Sequence, residues 1–331
     1  MKGLFVSILS VICFTTVMAQ PDNMTGGPLH TRTETGIIDG VYIQTNIPTK
    51  KLIQYEYVRE ADVIWSKRVW RTIDLREKIN HSLYYPLDYF DSERNWVKNS
   101  SRWSLWTIIR TGILSGNLTV YSPYNPLKYT VRDGDEFKYP ILPVPGKNYY
   151  TDKQYREELL FYLGELGAES DVPLKDIYGY DSVNEFDEYV YPPRDTSYYT
   201  SKDIQQYRLK EDWFLDKERS IMDVRIIGIA PVIYKKDPNG LITGKEELFW
   251  LYFPECRYVF NNYFVYNEHN DARWMSFDDL FWKRRFASTI DKQSNVYDRD
   301  VEKYRVGVDA LLESQKITED IRNIEHDIWS F

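Results

Sequence analysis

The start of the chain limits most what the rest can fold into. Lys2 precedes a run of eleven predominantly apolar residues, Leu4 to Phe14 ("LFVSILSVICF"), and "VMAQ" then sets Val17 and Ala19 before Gln20. That is the pattern of an export signal cleaved between Ala19 and Gln20. The run is too short for a hydrocarbon core that needs about 20 residues. Ile12 rather than a small residue precedes Cys13, so no lipid anchor is expected. The consequence for folding lies in the thiols. Only Cys13 and Cys256 occur, and the first leaves with the signal. No disulfide can then form within the exported chain, so ordinary core burial must stabilise it.

The exported chain, Gln20 to Phe331, has 312 residues, enough for about two domains. No later apolar run is long enough for a direct membrane span, and the net charge of −8 excludes an overall basic footprint for nucleic acid. The 10 Trp and 28 Tyr are unusual. Such side chains are favoured where one edge stays wet, so they point to extensive protein contacts or to a sugar-stacking surface without choosing between them.

Composition and periodicity divide the chain as follows: signal 1–19, flexible N-terminal segment 20–56, first α+β module 57–146, a helix with an acidic Tyr-rich insertion 147–203, second α+β module 204–298, and a helical C-terminal region 299–331. "READVIWSKRVW" and "SRWSLWTIIRTGIL" place apolar residues at helical spacing, and "LTVY" reads as a short strand. "TDKQYREELLFYLGEL" has Thr151 and Gln154 at capping-box spacing and a stop at Gly164. "SKDIQQYRLKEDWFLDKER" reads as helix, "SIMDVRIIGIAPVIY" and "ELFWLYFP" as a hairpin across a turn-rich link. "SFDDLFWKRRFAS" starts a helix with Ser276 and Asp279 at cap positions, and the C-terminal helix is interrupted at "ESQKIT". A gapless echo between "WSKRVWRTIDLR" (Trp65 to Arg76) and "FLDKERSIMDVR" (Phe214 to Arg225) leaves two readings open, two related modules or two helix-to-strand joints alike by chance. The fold expected is α+β, short helices feeding short antiparallel strands, with a helical C-terminus.

Each candidate for chemistry has a plainer role beside it. Cys256 would need a base to become a thiolate. His30, His81, His269 and His326 sit in no recognisable motif, and a cysteine in an aromatic segment is usually a small buried hydrophobe. Asp278 and Asp279, or Asp181, Glu185, Asp187 and Glu188, could supply a glycosidase's carboxylate pair. Acids at a helix start more often serve its dipole and cap, and an acidic tract is more often solvated. An exported carbohydrate-active enzyme or sugar-binding module therefore remains an alternative. Calcium binding by 181–188 lacks the EF-hand spacing. No zinc, P-loop, GxSxG or dinucleotide pattern is present, so no cofactor or metal is expected. "FWKRRF" sets Trp282, Lys283, Arg284 and Arg285 together; on a helix these cannot all face inward, which makes them candidate partner contacts. Trp65, Arg68 and Trp70 form a second such group.

Four blocks, "READVIWSKRVWRTIDLREKIN", "KEDWFLDKERSIMDVRIIGIAP", "LFWLYFPECRYVF" and "FDDLFWKRRFASTIDKQSNVYDR", together resemble the gliding-motility protein family GldN, called PorN in non-gliding relatives. The likeness runs from about Tyr57 to Arg299. It implies a periplasmic, non-catalytic subunit of the type IX secretion system without a cofactor. It also implies a ring built with a GldK/PorK-type lipoprotein at the outer membrane, self-association within that ring, and contact with the periplasmic region of a GldM/PorM-type motor subunit. The resemblance carries over no catalytic residue.

Overall fold

The computed structural model describes residues 51–328, apart from 101, 127, 168–171, 175–188, 190, 192–195, 238–239, 269 and 271–274. The signal cleavage site, His30, His269 and the acids 181–188 thus lie outside the described residues.

The α+β class holds, and its centre is one antiparallel sheet. The strands are β1 (Val63–Asp74), β2 (Val120–Tyr121), β3 (Pro140–Ile141), β4 (Ile204–Asp216), β5 (Ile221–Lys236), β6 (Ile242–Glu247), β7 (Trp250–Tyr252) and β8 (Thr289–Gln293). Their order is β8-β1-β4-β5-β7-β2-β3, with β6 also on β5. Strands from the 57–146 and 204–298 stretches therefore interleave in a single sheet.

Two segments expected as helices are neighbouring strands at its centre. β1 and β4 pair in antiparallel register, Val69 opposite Glu211 and Ile73 opposite Tyr207. β-Branched and aromatic residues dominate β1 and recur in β4 as Ile204, Tyr207, Trp213 and Phe214, and such side chains fit a pleated, half-buried surface. From Val69 to Thr72 β1 is buried on both faces, which erases the alternation that marks a strand. The central strands are consequently long, 12, 13 and 16 residues for β1, β4 and β5.

The hairpin of β5 returns through β6 and β7, with Trp250–Tyr252 the strand part of "ELFWLYFP"; Phe253 already begins a helix. Gly228 of β5 is required there. A Cβ at this position would stand 2.7 Å from the Phe137 ring and 3.2 Å from that of Trp250. The echoing segments do not share a structure: Trp65 to Arg76 follows β1, whereas Phe214 to Arg225 crosses the β4–β5 turn.

Besides a single helical turn at His81–Tyr84, the helices are α1 (Leu105–Leu114), α2 (Lys153–Leu163), α3 (Phe253–Phe260), α4 (Phe277–Trp282) and α5 (Val308–Ile328). α1 and α4 fall where the sequence places helices. α2 stops at Gly164 as expected, but its cap is Asp152 rather than Thr151, accepting from Tyr155 N at 3.4 Å. α3 packs against β5, α1 and α4. Trp106, Phe249, Phe253, Phe260, Phe277 and Phe281 are among the largest fully buried side chains of this core, each ring worth roughly 1.5–3 kcal/mol on burial. α5 runs unbroken through "ESQKIT". Ile317 and Ile321 pack with Val69 and Ile290, and Ser314 Oγ accepts from Ile290 N at 2.7 Å on the outer side of β8.

Candidate interaction surface

α4 begins with the capping box that the sequence suggests. Ser276 Oγ accepts from Asp279 N at 3.1 Å, and Asp279 Oδ2 accepts from Ser276 N at 3.4 Å. The helix then ends at Trp282, and Arg284 takes a left-handed backbone, φ 51°. "FWKRRF" is therefore a helix end and a turn, and its basic residues diverge. Lys283 and Arg285 are exposed. Arg284 turns inward and donates through Nη1 and Nη2 to Glu211 Oε1 and Oε2 at 2.9 and 3.1 Å.

Glu211 is fully buried on β4 and is shared by two cations, since Arg71 Nε lies 3.1 Å from its Oε2. Trp213 Nε1 donates to the same oxygen at 3.1 Å. Both guanidiniums stand over the Trp213 ring, 5.5 Å for Arg71 and 5.2 Å for Arg284. Burial, opposed by Glu211, lowers the pKa of Arg71 from its usual value. This triad locks the turn after α4 to the sheet. Arg284 is thus an internal tie, not the free contact expected of it.

A second buried pair supports the same helix. Arg257 of α3 donates to Asp278 Oδ1 and Oδ2 at 2.7 and 3.2 Å, and Arg257 is only 2% exposed. Its guanidinium lies 4.2 Å from the Tyr55 ring centroid and 4.9 Å from that of Trp282. Tyr55 and Trp282 are themselves stacked at 5.4 Å, and burial pushes the Tyr55 phenol up to about 12. Asp278 and Asp279 are consequently committed, one to Arg257 and one to the cap, and do not form a catalytic carboxylate pair.

The other predicted group lies on β1. Trp70 is 8% exposed, donates to Asp135 at 3.1 Å and lies under Lys292 at 4.6 Å; it is structural. Arg68 is half exposed and pairs with Asp212 through both oxygens at 2.6 and 2.7 Å. Trp65 packs half-buried against the α5 cluster. Arg284 covers Trp213, which packs against that cluster too, so the two predicted groups border one cluster. Sequence reasoning missed Glu211, Trp213, Arg257, Arg225 and Tyr55. The one available signal was charge, Arg71 and Glu211, at positions that a buried strand reserves for apolar residues.

Cys256 sits on α3, fully buried, and burial pushes its thiol well above the usual range. A thiol in that state is inert. A disulfide-exchange reagent at pH 8 should leave it unlabelled in the native protein and label it fully in denaturant; rapid native labelling would contradict its placement. Among the described residues, no cluster of His, Cys, Asp and Glu could hold a metal ion, and no helix is long and apolar enough to cross a membrane.

The sequence profile described as "Gliding motility associated protein GldN" matches residues 58–330. The chain belongs to the GldN family. The match takes in every strand of the main sheet and the helices α1 to α5, with both buried ion networks, and begins just after Tyr55. No curated protein matches the chain.

Proposed function

We propose that this GldN-family chain is a non-catalytic structural subunit of the type IX secretion and gliding machinery. In this reading it lies in the periplasm, held against the outer membrane by a GldK/PorK-type lipoprotein with which it forms a ring, and it meets the periplasmic region of a GldM/PorM-type motor subunit. The observation that carries this is the family match over 58–330. The side chains that might have carried chemistry also favour it, since Cys256, Asp278 and Asp279 serve packing, an ion pair and a cap. Work in such a subunit is done by binding energy and geometry.

Co-expression with the lipoprotein, followed by size-exclusion chromatography and electron microscopy, tests the reading. A large, ring-shaped co-complex is expected, and a chain that aggregates or stays small alone. A monodisperse monomer indifferent to the lipoprotein would overturn it. Within this reading, Lys283 and Arg285 are the exposed cations of the α4 turn that can face a partner. The double variant Lys283→Glu/Arg285→Glu should fold normally and bind the lipoprotein about tenfold more weakly, a loss of ~1.4 kcal/mol. Arg284→Glu, by contrast, should lower the unfolding midpoint, because it faces Glu211.

A further inference from the structure

Residues 51–57 cross the body as an extended strap with an unusual attachment. Among the described residues, 51–58 make no backbone–backbone hydrogen bond. Three arginines of the body hold the strap instead. Arg257 Nη2 donates to Ile53 O at 2.7 Å, Arg225 Nη2 donates to Glu56 O, and Arg219 pairs with the Glu56 carboxylate at 2.6 Å. Tyr55 enters the slot made by Trp282 and Arg257, with the Arg225 guanidinium 5.2 Å from its ring.

Two features follow. First, the strap can leave without breaking any strand pairing. At its exit Tyr57, Arg59 and Glu60 are exposed, Tyr57 by 90%, and a single 3-10 turn, Glu60–Asp62, joins it to β1. Second, the socket is specific. The seated strap gives Arg257 an acceptor, Ile53 O, and an aromatic face, Tyr55, beside the Asp278 carboxylate and Trp282 ring that Arg257 keeps in any case. Any segment that takes the strap's place there must offer the same two groups.

We infer that the strap is an exchangeable arm: within an assembly, Tyr55 and its neighbours from one copy occupy the Arg257–Trp282 socket of the next. This rests on the proposed ring, where copies stand side by side. The arm makes the same contacts in either chain, so exchange is governed by the local concentration of neighbouring arms. The hinge that donates the arm and the socket that receives it are different patches of one chain. Such a contact is heterologous and repeats from copy to copy around a closed ring. The structure shows the arm seated in its own chain's socket.

The test uses the full chain in two differently tagged forms, co-expressed with the lipoprotein. One form carries the photo-cross-linker substitution Gln54→p-benzoylphenylalanine, at an exposed strap position that leaves Tyr55 intact. After irradiation of the assembled species, an adduct joining the two tags and mapping to the peptide that contains Trp282 is expected. It should fall at least tenfold when Tyr55→Ala is added to the donor. Adducts to that peptide found only within single chains of an intact ring would overturn arm exchange and leave the ring standing. A chain that stays monomeric with the lipoprotein present would overturn both.

Discussion

Glu211→Ala should lower folding stability by about 3–5 kcal/mol, the cost of leaving buried charge without its partner. Here two guanidiniums, Arg71 and Arg284, share one fully buried carboxylate, so the loss leaves both uncompensated on the sheet. Domains commonly have only about 5–15 kcal/mol in total, and the variant should be near its unfolding threshold at growth temperature. Urea titration followed by tryptophan fluorescence reads the effect as a lower midpoint with an unchanged slope. A loss below about 1 kcal/mol would show that water reaches the triad. Replacing all three members by methionine should recover most of the deficit, since apolar residues can substitute for a buried ion network.

The second large effect is expected at the other buried pair. Asp278→Ala strips the carboxylate from Arg257 and should cost roughly 3 kcal/mol. Ile53 O and the Tyr55 and Trp282 rings then become that guanidinium's remaining partners. Asp278→Asn keeps an acceptor and should cost less. Hydrogen exchange separates the two consequences of the alanine change. Protection should fall in α4, in whose first turn Asp278 lies, while the strap, whose amides donate to no backbone carbonyl among the described residues, should exchange fast in both proteins. Protection of α4 unchanged from the parent would show that Arg257–Asp278 does not hold the helix.

Short-range chemistry was legible in the sequence. Ser276 and Asp279 announced a capping box that forms, Gly164 announced a stop, and Leu105 to Leu114 carried a helical stripe that is buried where expected. β1 and β4 were misread because both faces are covered at mid-sheet and because Lys, Arg, Glu and Asp stand among their apolar residues, which then fall by chance at three-four spacing. The candidate site was half legible for a related reason. "FWKRRF" was visible as a cluster, but which of its cations is free depends on a left-handed turn at Arg284 and on Glu211, 73 residues upstream. Nothing local in Tyr55 or Arg257 tells that they stack, since their meeting is set by the packing of α3 beside α4. Family resemblance, spread over four long blocks, carried further than any single residue could.

The flanks of β1 have a consequence for biogenesis. Its neighbours on either side arrive with residues 204–216 and 289–293, so a polypeptide emerging from its amino end must carry this twelve-residue strand unpaired until about two-thirds of its length has been delivered, and with one edge open until nearly nine-tenths. Assembly of the sheet is therefore a late, all-at-once event of the kind that long-range pairing makes slow. A holding chaperone would be most needed before β8 emerges, and a stop codon ahead of it should yield insoluble material rather than a shorter working part.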